Sequence, residues 1–290
     1  MDKSLILFAQ KLVNKPLASI RYSQSLKALC QEVGLAHRLI GTKVNLSSLD
    51  LIKIENYVSS ALGMPLAQFK PQAQNRLQVA ACGLDEKLAG KGVFSHLLNF
   101  ASACDPLPLI FGTCTIPKGC VLSTESSKLA FEDIKRLIIV ENGAVLLEPV
   151  LLEQILPTKF SGSLMLYRGH GENLRNLKDV IANLNEDTDL ALFCDFDAAG
   201  LNIALDLSMS FHGISQILVP CDIGENLHKL SKYSAYIEQQ DQLERLLTGA
   251  FIPKRMREWA QLMARYQIAL MQEHMLAQQI ALQAYILKRD

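Results

Sequence analysis

Leu190-Ala-Leu-Phe-Cys-Asp-Phe-Asp-Ala-Ala-Gly200 is an apolar run that ends in two aspartates one residue apart and passes at once into a helix-compatible segment. Such a run, closed by polar residues, reads as a short buried strand followed by a helix. Two carboxylates at the end of a buried strand repel each other and are costly to desolvate, so a positive charge is expected beside them. Phe196 lies between Asp195 and Asp197 and can anchor the loop in the core while both acids face the sheet edge. The expected counter-charge is Mg2+, a hard cation that takes oxygen ligands and is typically held by one or two carboxylates together with substrate phosphates.

The same rhythm extends to both sides. Leu137–Val140, Leu164–Tyr167, Leu190–Phe193 and Gln216–Val219 read as strands, separated by helical stretches near 143–156, 172–184 and 199–211. Short apolar runs with helical crossovers specify an α/β fold, a Rossmann-like parallel sheet wrapped by helices. Ligands in such sheets bind beyond the carboxyl ends of the strands. Those ends are Glu141-Asn142-Gly143, Arg168-Gly169-His170-Gly171, Asp195-Phe196-Asp197 and Pro220-Cys221-Asp222. Loops are generally polar, so the informative part is the convergence of an acid, an acid-x-acid and a Gly-His-Gly loop on one edge. Glu141 either ligates metal with Asp195 and Asp197 or serves as general base on an attacking water. His170 contacts a phosphate, shuttles a proton, or is simply a loop histidine between glycines. Arg168 binds phosphate through its guanidinium fork or caps the sheet edge. Asn142 is a candidate to orient Glu141, Asp222 is a further acid, and Gly200 allows close approach of the helix that follows.

The flanks divide the chain further. Residues 1–66 carry three-and-four spacing over Leu5–Val13, Ser23–Val33 and Leu49–Leu62, with cap-type residues at Ser47-Ser48-Leu49-Asp50. This helical N-terminal region is compatible with a helix-turn-helix turning at Val33-Gly34-Leu35, or with an ordinary helical cap. Residues 67–130 are broken by Gly and Pro into short runs, Leu77–Val79, Leu109–Gly112 and Cys120–Leu122, with a connecting helix expected near Val93–Ala101. They read as a small α+β module ahead of the alternating α/β region at 131–250. The tail, 251–290, reads as one long helix from Pro253, with Trp259, Leu262, Tyr266, Leu270, Ala277, Ile280 and Ala284 on an apolar stripe. Glu273 falls on that stripe, where it either points at the metal site or pairs with a basic residue.

Composition adds limits. The 290 residues carry 29 Lys+Arg and 29 Asp+Glu, so no global basic excess announces nucleic acid, although a local basic face remains open. Seven cysteines without a CxxC pair or zinc spacing indicate free thiols in a reducing cytoplasm. The absence of a long apolar run predicts a cytoplasmic protein with no membrane partner.

Glu141, followed two strands later by Asp-x-Asp within alternating β/α structure, resembles the Toprim domain shared by topoisomerases, primases and several nucleases. More narrowly, Ile139-Val-Glu-Asn142, the Gly-His-Gly loop, Asp195-Phe-Asp-Ala-Ala-Gly200 and Gln272-Glu273 are similar to the Toprim nuclease subunit of Wadjet and related condensin-like plasmid-defence systems (the JetD family). The resemblance covers roughly residues 75–290 and is strongest in 137–204. It implies the architecture of the topoisomerase VI A subunit, with a winged-helix-like module at 67–130 and a Toprim domain at 131–250. It also implies a homodimeric, Mg2+- or Mn2+-dependent DNA endonuclease that acts with an SMC/kleisin-type motor complex, with Glu141, Asp195, Asp197 and His170 catalytic and Glu141, Asp195, Asp197 and Glu273 on the metal. The chain is short for such a subunit and neutral overall, which points to a reduced DNA-binding arm. Two other readings of the family architecture are a topoisomerase VI A-like protein with a tyrosine nucleophile, for which Tyr22 and Tyr57 are the early candidates, and a non-catalytic adaptor with a structural metal.

Overall fold

The computed structural model describes residues 3–17, 19–35, 39–69, 94, 96–169 and 172–287, omitting the side chains of residues 39, 40 and 172. They fall into two units, 1–95 and 96–290. His170 and Leu77–Val79 lie outside the described residues.

In the first unit, α1 (Lys3–Asn14), α2 (Gln24–Val33) and α3 (Ser48–Leu62) match the expected helices to within two residues. Their ends are written locally. The Ser23 hydroxyl accepts the Leu26 N–H, Ser47 and Asp50 form a reciprocal capping box, and Gly34 and Gly63 close α2 and α3 in the left-handed region at φ 70° and 67°. Leu5, Ala9, Leu26, Leu29, Ile54 and Val58 meet in a separate core. Three two-residue strands, β1 (Ile20–Arg21), β2 (Leu39–Ile40) and β3 (Lys43–Val44), pair in the order β1-β3-β2. The β2–β3 hairpin therefore stands between α2 and α3, and the turn at Gly34 does not lead into a second helix of a helix-turn-helix. Two-residue strands leave no periodicity to read, which is why this hairpin escapes a sequence pattern.

The second unit is built on a mixed seven-stranded sheet. Its strands are β4 (Leu98–Ser102), β7 (Leu122–Thr124), β8 (Arg136–Val140), β9 (Leu164–Tyr167), β10 (Asp189–Phe193), β11 (Ser215–Pro220) and β12 (Leu282–Ile286); β5 (Leu107–Leu109) and β6 (Gly112–Cys114) form a separate hairpin. The order is β12-β11-β10-β8-β9-β4-β7. The four central strands are parallel, with Phe193 of β10 level with Val140 of β8; β12 and β4 run against them, and β7 pairs antiparallel with β4. Leu137–Val140 and Leu190–Phe193 are fully buried, as strands covered on both faces must be. Helices Gly143–Leu146 and Pro149–Ile155 connect β8 to β9, Glu172–Asn183 connects β9 to β10, and Ala198–Ser208 connects β10 to β11. From β8 the chain moves first to one neighbour, β9, and then to the other, β10. The carboxyl ends of β8 and β10 thus flank the reversal of strand order where an open α/β sheet forms its crevice. Among the described residues no helix is long and apolar enough to cross a membrane.

Three expectations are corrected. The helix expected at Val93–Ala101 gives way to β4, whose Leu98, Phe100 and Ala101 are buried beside β9. The described part of 67–130 from residue 96 onward is no separate winged-helix-like module, because β4 and β7 extend the main sheet; frequent Gly and Pro mark its turns and not a domain boundary. The tail is not one long helix. Helix Lys254–Tyr266 stops at Gln267, which takes φ 52°, a short helix Gln272–Ala277 follows, and the chain ends in β12 against β11. High helix propensity is overridden here because β11 gains a strand partner and the segment between the helices pairs with the Asp-x-Asp loop.

Candidate functional site

Glu141 leaves β8 with its N–H donating to the Phe193 carbonyl at 3.1 Å, so the two strand ends are locked together at the crevice. One of its carboxylate oxygens accepts the Asp195 N–H at 3.2 Å and the other pairs with the Arg168 guanidinium at 3.2 Å. Arg168 extends from the end of β9, where its own N–H donates to the Val140 carbonyl at 2.8 Å. The cation expected beside the carboxylates is therefore supplied in part by the chain. Only 12% of the Arg168 side chain and 16% of the Glu141 side chain are exposed, and the Arg168 Nε has no hydrogen-bond partner among the described residues.

The Asp-x-Asp loop is clamped by the segment after the helix Lys254–Tyr266. Phe196 and Leu270 exchange backbone hydrogen bonds of 2.8 and 3.1 Å, an isolated antiparallel bridge. This brings the Gln272 N–H to Asp195 Oδ1 at 2.7 Å. The fully buried Gln272 side chain donates to the Phe193 carbonyl at 2.6 Å and accepts the Asn142 N–H at 2.7 Å, tying β8, β10 and the tail into one network. Asn142 caps the helix Gly143–Leu146 through the Ala144 N–H at 2.8 Å and donates its side-chain amide to Glu273. It braces the tail through Glu273. Glu273 is exposed in the first turn of its short helix, so the expectation of a carboxylate on a buried stripe is corrected; the buried residue there is Gln272.

Asp197 has a different environment. It is 2% exposed and begins the helix Ala198–Ser208, accepting the Gly200 N–H at 2.7 Å on one oxygen and the Gln239 amide at 2.8 Å on the other. Burial raises its pKa against the opposing effect of these donors. We expect Asp197→Ala to cost about 1 kcal/mol through the lost cap, and Asp197→Asn, itself a good cap, much less, as measured by urea unfolding. Gly200 permits the tight turn: a Cβ there would stand 2.0 Å from the Asp195 carbonyl oxygen. Gly200→Ala must push the helix off the strand end, and we expect a loss of about 3 kcal/mol with loss of the Asp195 geometry, read by unfolding and by heteronuclear NMR shifts.

Asp195 is the electrostatic centre. Burial first, and then the charges of Glu141, Asp197 and Glu273, push its pKa up to about 7 in spite of the Gln272 N–H. Burial first, and then the charges of Glu141, Asp195 and Asp197, hold the neighbouring Cys194 thiol well above its ordinary value in spite of Arg168, so it is an inert core residue. Asp222 is exposed on the loop after β11 and is not among the charges acting on Asp195. Among the described residues no three His, Cys, Asp or Glu side chains close into a ready-made metal cage. The donor set is nevertheless all oxygen and carries an excess of negative charge, which suits Mg2+ or Mn2+ with retained waters and phosphate ligands. Gln239, which positions Asp197, carries no charge or motif that would mark this role in a sequence, and Gln272, which positions Asp195, enters the sequence reading only as the neighbour of Glu273 in the motif of the resemblance.

The family model described as "Domain of unknown function (DUF7281)" matches residues 96–284, starting where the second unit starts. No curated protein and no solved structure matches the chain.

Proposed function

The chain belongs to the DUF7281 family, and from its site we propose that it is a divalent-metal-dependent endonuclease that hydrolyses DNA phosphodiester bonds as a Toprim-type enzyme. The observation that carries this reading is the convergence of Glu141 and Asp195, from strands on either side of the order reversal, into one hydrogen-bonded cluster with Arg168. Glu141, Asp195 and Asp197 would hold Mg2+ or Mn2+, with Glu273 at the rim. When bound, the metal polarises the scissile phosphate and stabilises the leaving oxygen.

The chain's own groups have separable tasks. Asp195 must be ionised to take its part, and its elevated pKa places that ionisation near neutrality. Asp197 fixes the helix that supports the loop, and a carboxylate has lone-pair capacity for metal beyond the hydrogen bonds it accepts from Gly200 and Gln239. Arg168 neutralises Glu141 in the resting protein; on substrate entry its guanidinium can turn to a phosphate oxygen, releasing Glu141 for metal or for a water proton. His170 is assigned to phosphate contact or proton transfer by the resemblance alone. The neutral overall charge supports dependence on partner proteins for phosphate contacts; that the partner is an SMC/kleisin-type complex and that the chain acts as a homodimer in the cytoplasm are carried over from the resemblance.

A tyrosine-nucleophile reading gains nothing from Tyr57, whose hydroxyl donates to Glu32 at 3.1 Å and whose pKa is raised by that carboxylate. The test is incubation of purified protein with circular plasmid and Mn2+, alone and with its motor partners. Nicked or linear product free of attached protein supports hydrolysis; protein-linked DNA lost in Tyr22→Phe, or no cleavage under either condition, overturns it.

A further inference from the structure

Next to the Asp-x-Asp loop the second unit holds a cavity of about 260 Å3 whose polar lining is Cys221, Arg255, Glu258, Trp259, Gln283 and Tyr285. Trp259 is only 1% exposed, and its indole N–H has no hydrogen-bond partner among the described residues. A buried donor left unmatched costs about 1–3 kcal/mol, so an acceptor is expected to meet it. Gln283 adds the complementary group. Its amide nitrogen is fixed by donating to the Pro220 and Cys221 carbonyls, both at 3.0 Å, which leaves its amide oxygen to accept from a ligand. Arg255 lies over the rings of Trp259 and Tyr285, at 5.9 and 5.0 Å, and donates to the Tyr285 hydroxyl at 3.2 Å. Ile223 and Leu262 supply an apolar wall.

These groups define the ligand by chemistry. The Arg255 charge is already met by Glu258 at 2.8 Å, so a free anion finds no unpaired cation, whereas a neutral flat molecule gains stacking against the guanidinium plate. One donor and one acceptor on the protein match a ring edge that carries a carbonyl beside an N–H. The volume suits a single heterocycle with its sugar and excludes a base pair. We propose that this cavity binds an unpaired nucleobase. The proposal rests on the DNA reading for its biological setting, because Trp259 meets Phe196 edge-on at 6.3 Å and Phe196 separates the two site aspartates. Two aromatic rings, Trp259 and Phe196, link a base held here to the cutting site, so the substrate class is a strand that is single-stranded, mismatched or opened by the partner motor.

Trp259 is the single tryptophan of the sequence, so its emission reports this cavity alone. Metal-free protein is titrated with thymidine, with deoxyguanosine, with a short oligothymidylate and with a blunt duplex. The expected result is a saturable emission change with at least one nucleoside and with the oligothymidylate, little with the duplex, and a loss of affinity of about tenfold or more in Arg255→Ala and Gln283→Ala. A bound nucleoside should also slow alkylation of the exposed Cys221, followed by peptide mass spectrometry. No saturable change together with no protection of Cys221 overturns the proposal and leaves the indole N–H to water. Neither readout needs metal or cleavage, so this failure is distinct from failure of the nuclease reading.

Discussion

Asp195→Asn is expected to lower metal-dependent DNA cleavage by about 10³-fold while making the metal-free protein more stable at alkaline pH. The sign follows from the folded-state pKa of about 7 against an ordinary 3.8. Between these two values the folded chain holds a proton that the unfolded chain has lost, so stability falls as pH rises through this window and then levels off. The asparagine keeps the acceptor for the Gln272 N–H and removes the titration. Thermal melts of metal-free wild type and variant should coincide near the bottom of the window and diverge above it, by on the order of 3–4 kcal/mol in favour of the variant. Added Mn2+ should close that gap from the wild-type side only. Parallel curves for the two proteins across the window would show that Asp195 is not held in the buried, acid-rich setting described.

Glu141→Ala carries the second large effect. It removes the counter-charge of a mostly buried guanidinium and the acceptor of the Asp195 N–H together, and should destabilise the protein by about 3 kcal/mol. Replacing both partners, Glu141→Leu with Arg168→Met, should restore most of the loss, because no buried charge is then left unpaired. Cleavage should stay absent in both variants. A double variant as unstable as Glu141→Ala would mean that the ion pair is not the source of the loss, and cleavage by either would remove Glu141 from the site.

The fold was legible where local physics and tertiary demand coincide. The runs that became β8 to β11 are apolar because both faces of the sheet are covered, and the caps at Ser23 and Ser47 use chemistry that a sequence displays directly. It was illegible where tertiary contacts overrule propensity. Nothing in the residues around Gln267 or Gln279 announces a break, yet both adopt positive φ, and the alanine- and glutamine-rich tail yields a strand because β11 offers an open edge. The site divides in the same way. Glu141 and Asp195 stand out as acids after strands, and the structure joins them. Glu273 is picked out on two grounds, a continuous helical stripe that the break at Gln267 removes and the Gln272-Glu273 motif of the resemblance, and it reaches the network through Asn142. Gln272 and Gln239 exert their effect by filling hydrogen-bonding needs that only the folded chain creates.

The central claim is that Glu141 and Asp195 together hold a divalent metal. Free Mn2+ gives a paramagnetic resonance signal that fades when the ion binds, so titrating the protein against Mn2+ measures uptake without DNA or partners. We predict uptake by the wild type that is strong at about pH 8 and weaker at about pH 6, where the Asp195 proton competes, and no specific uptake by Glu141→Gln or Asp195→Asn. Wild-type protein that leaves the signal unchanged, or variants that bind as the wild type does, would contradict the claim.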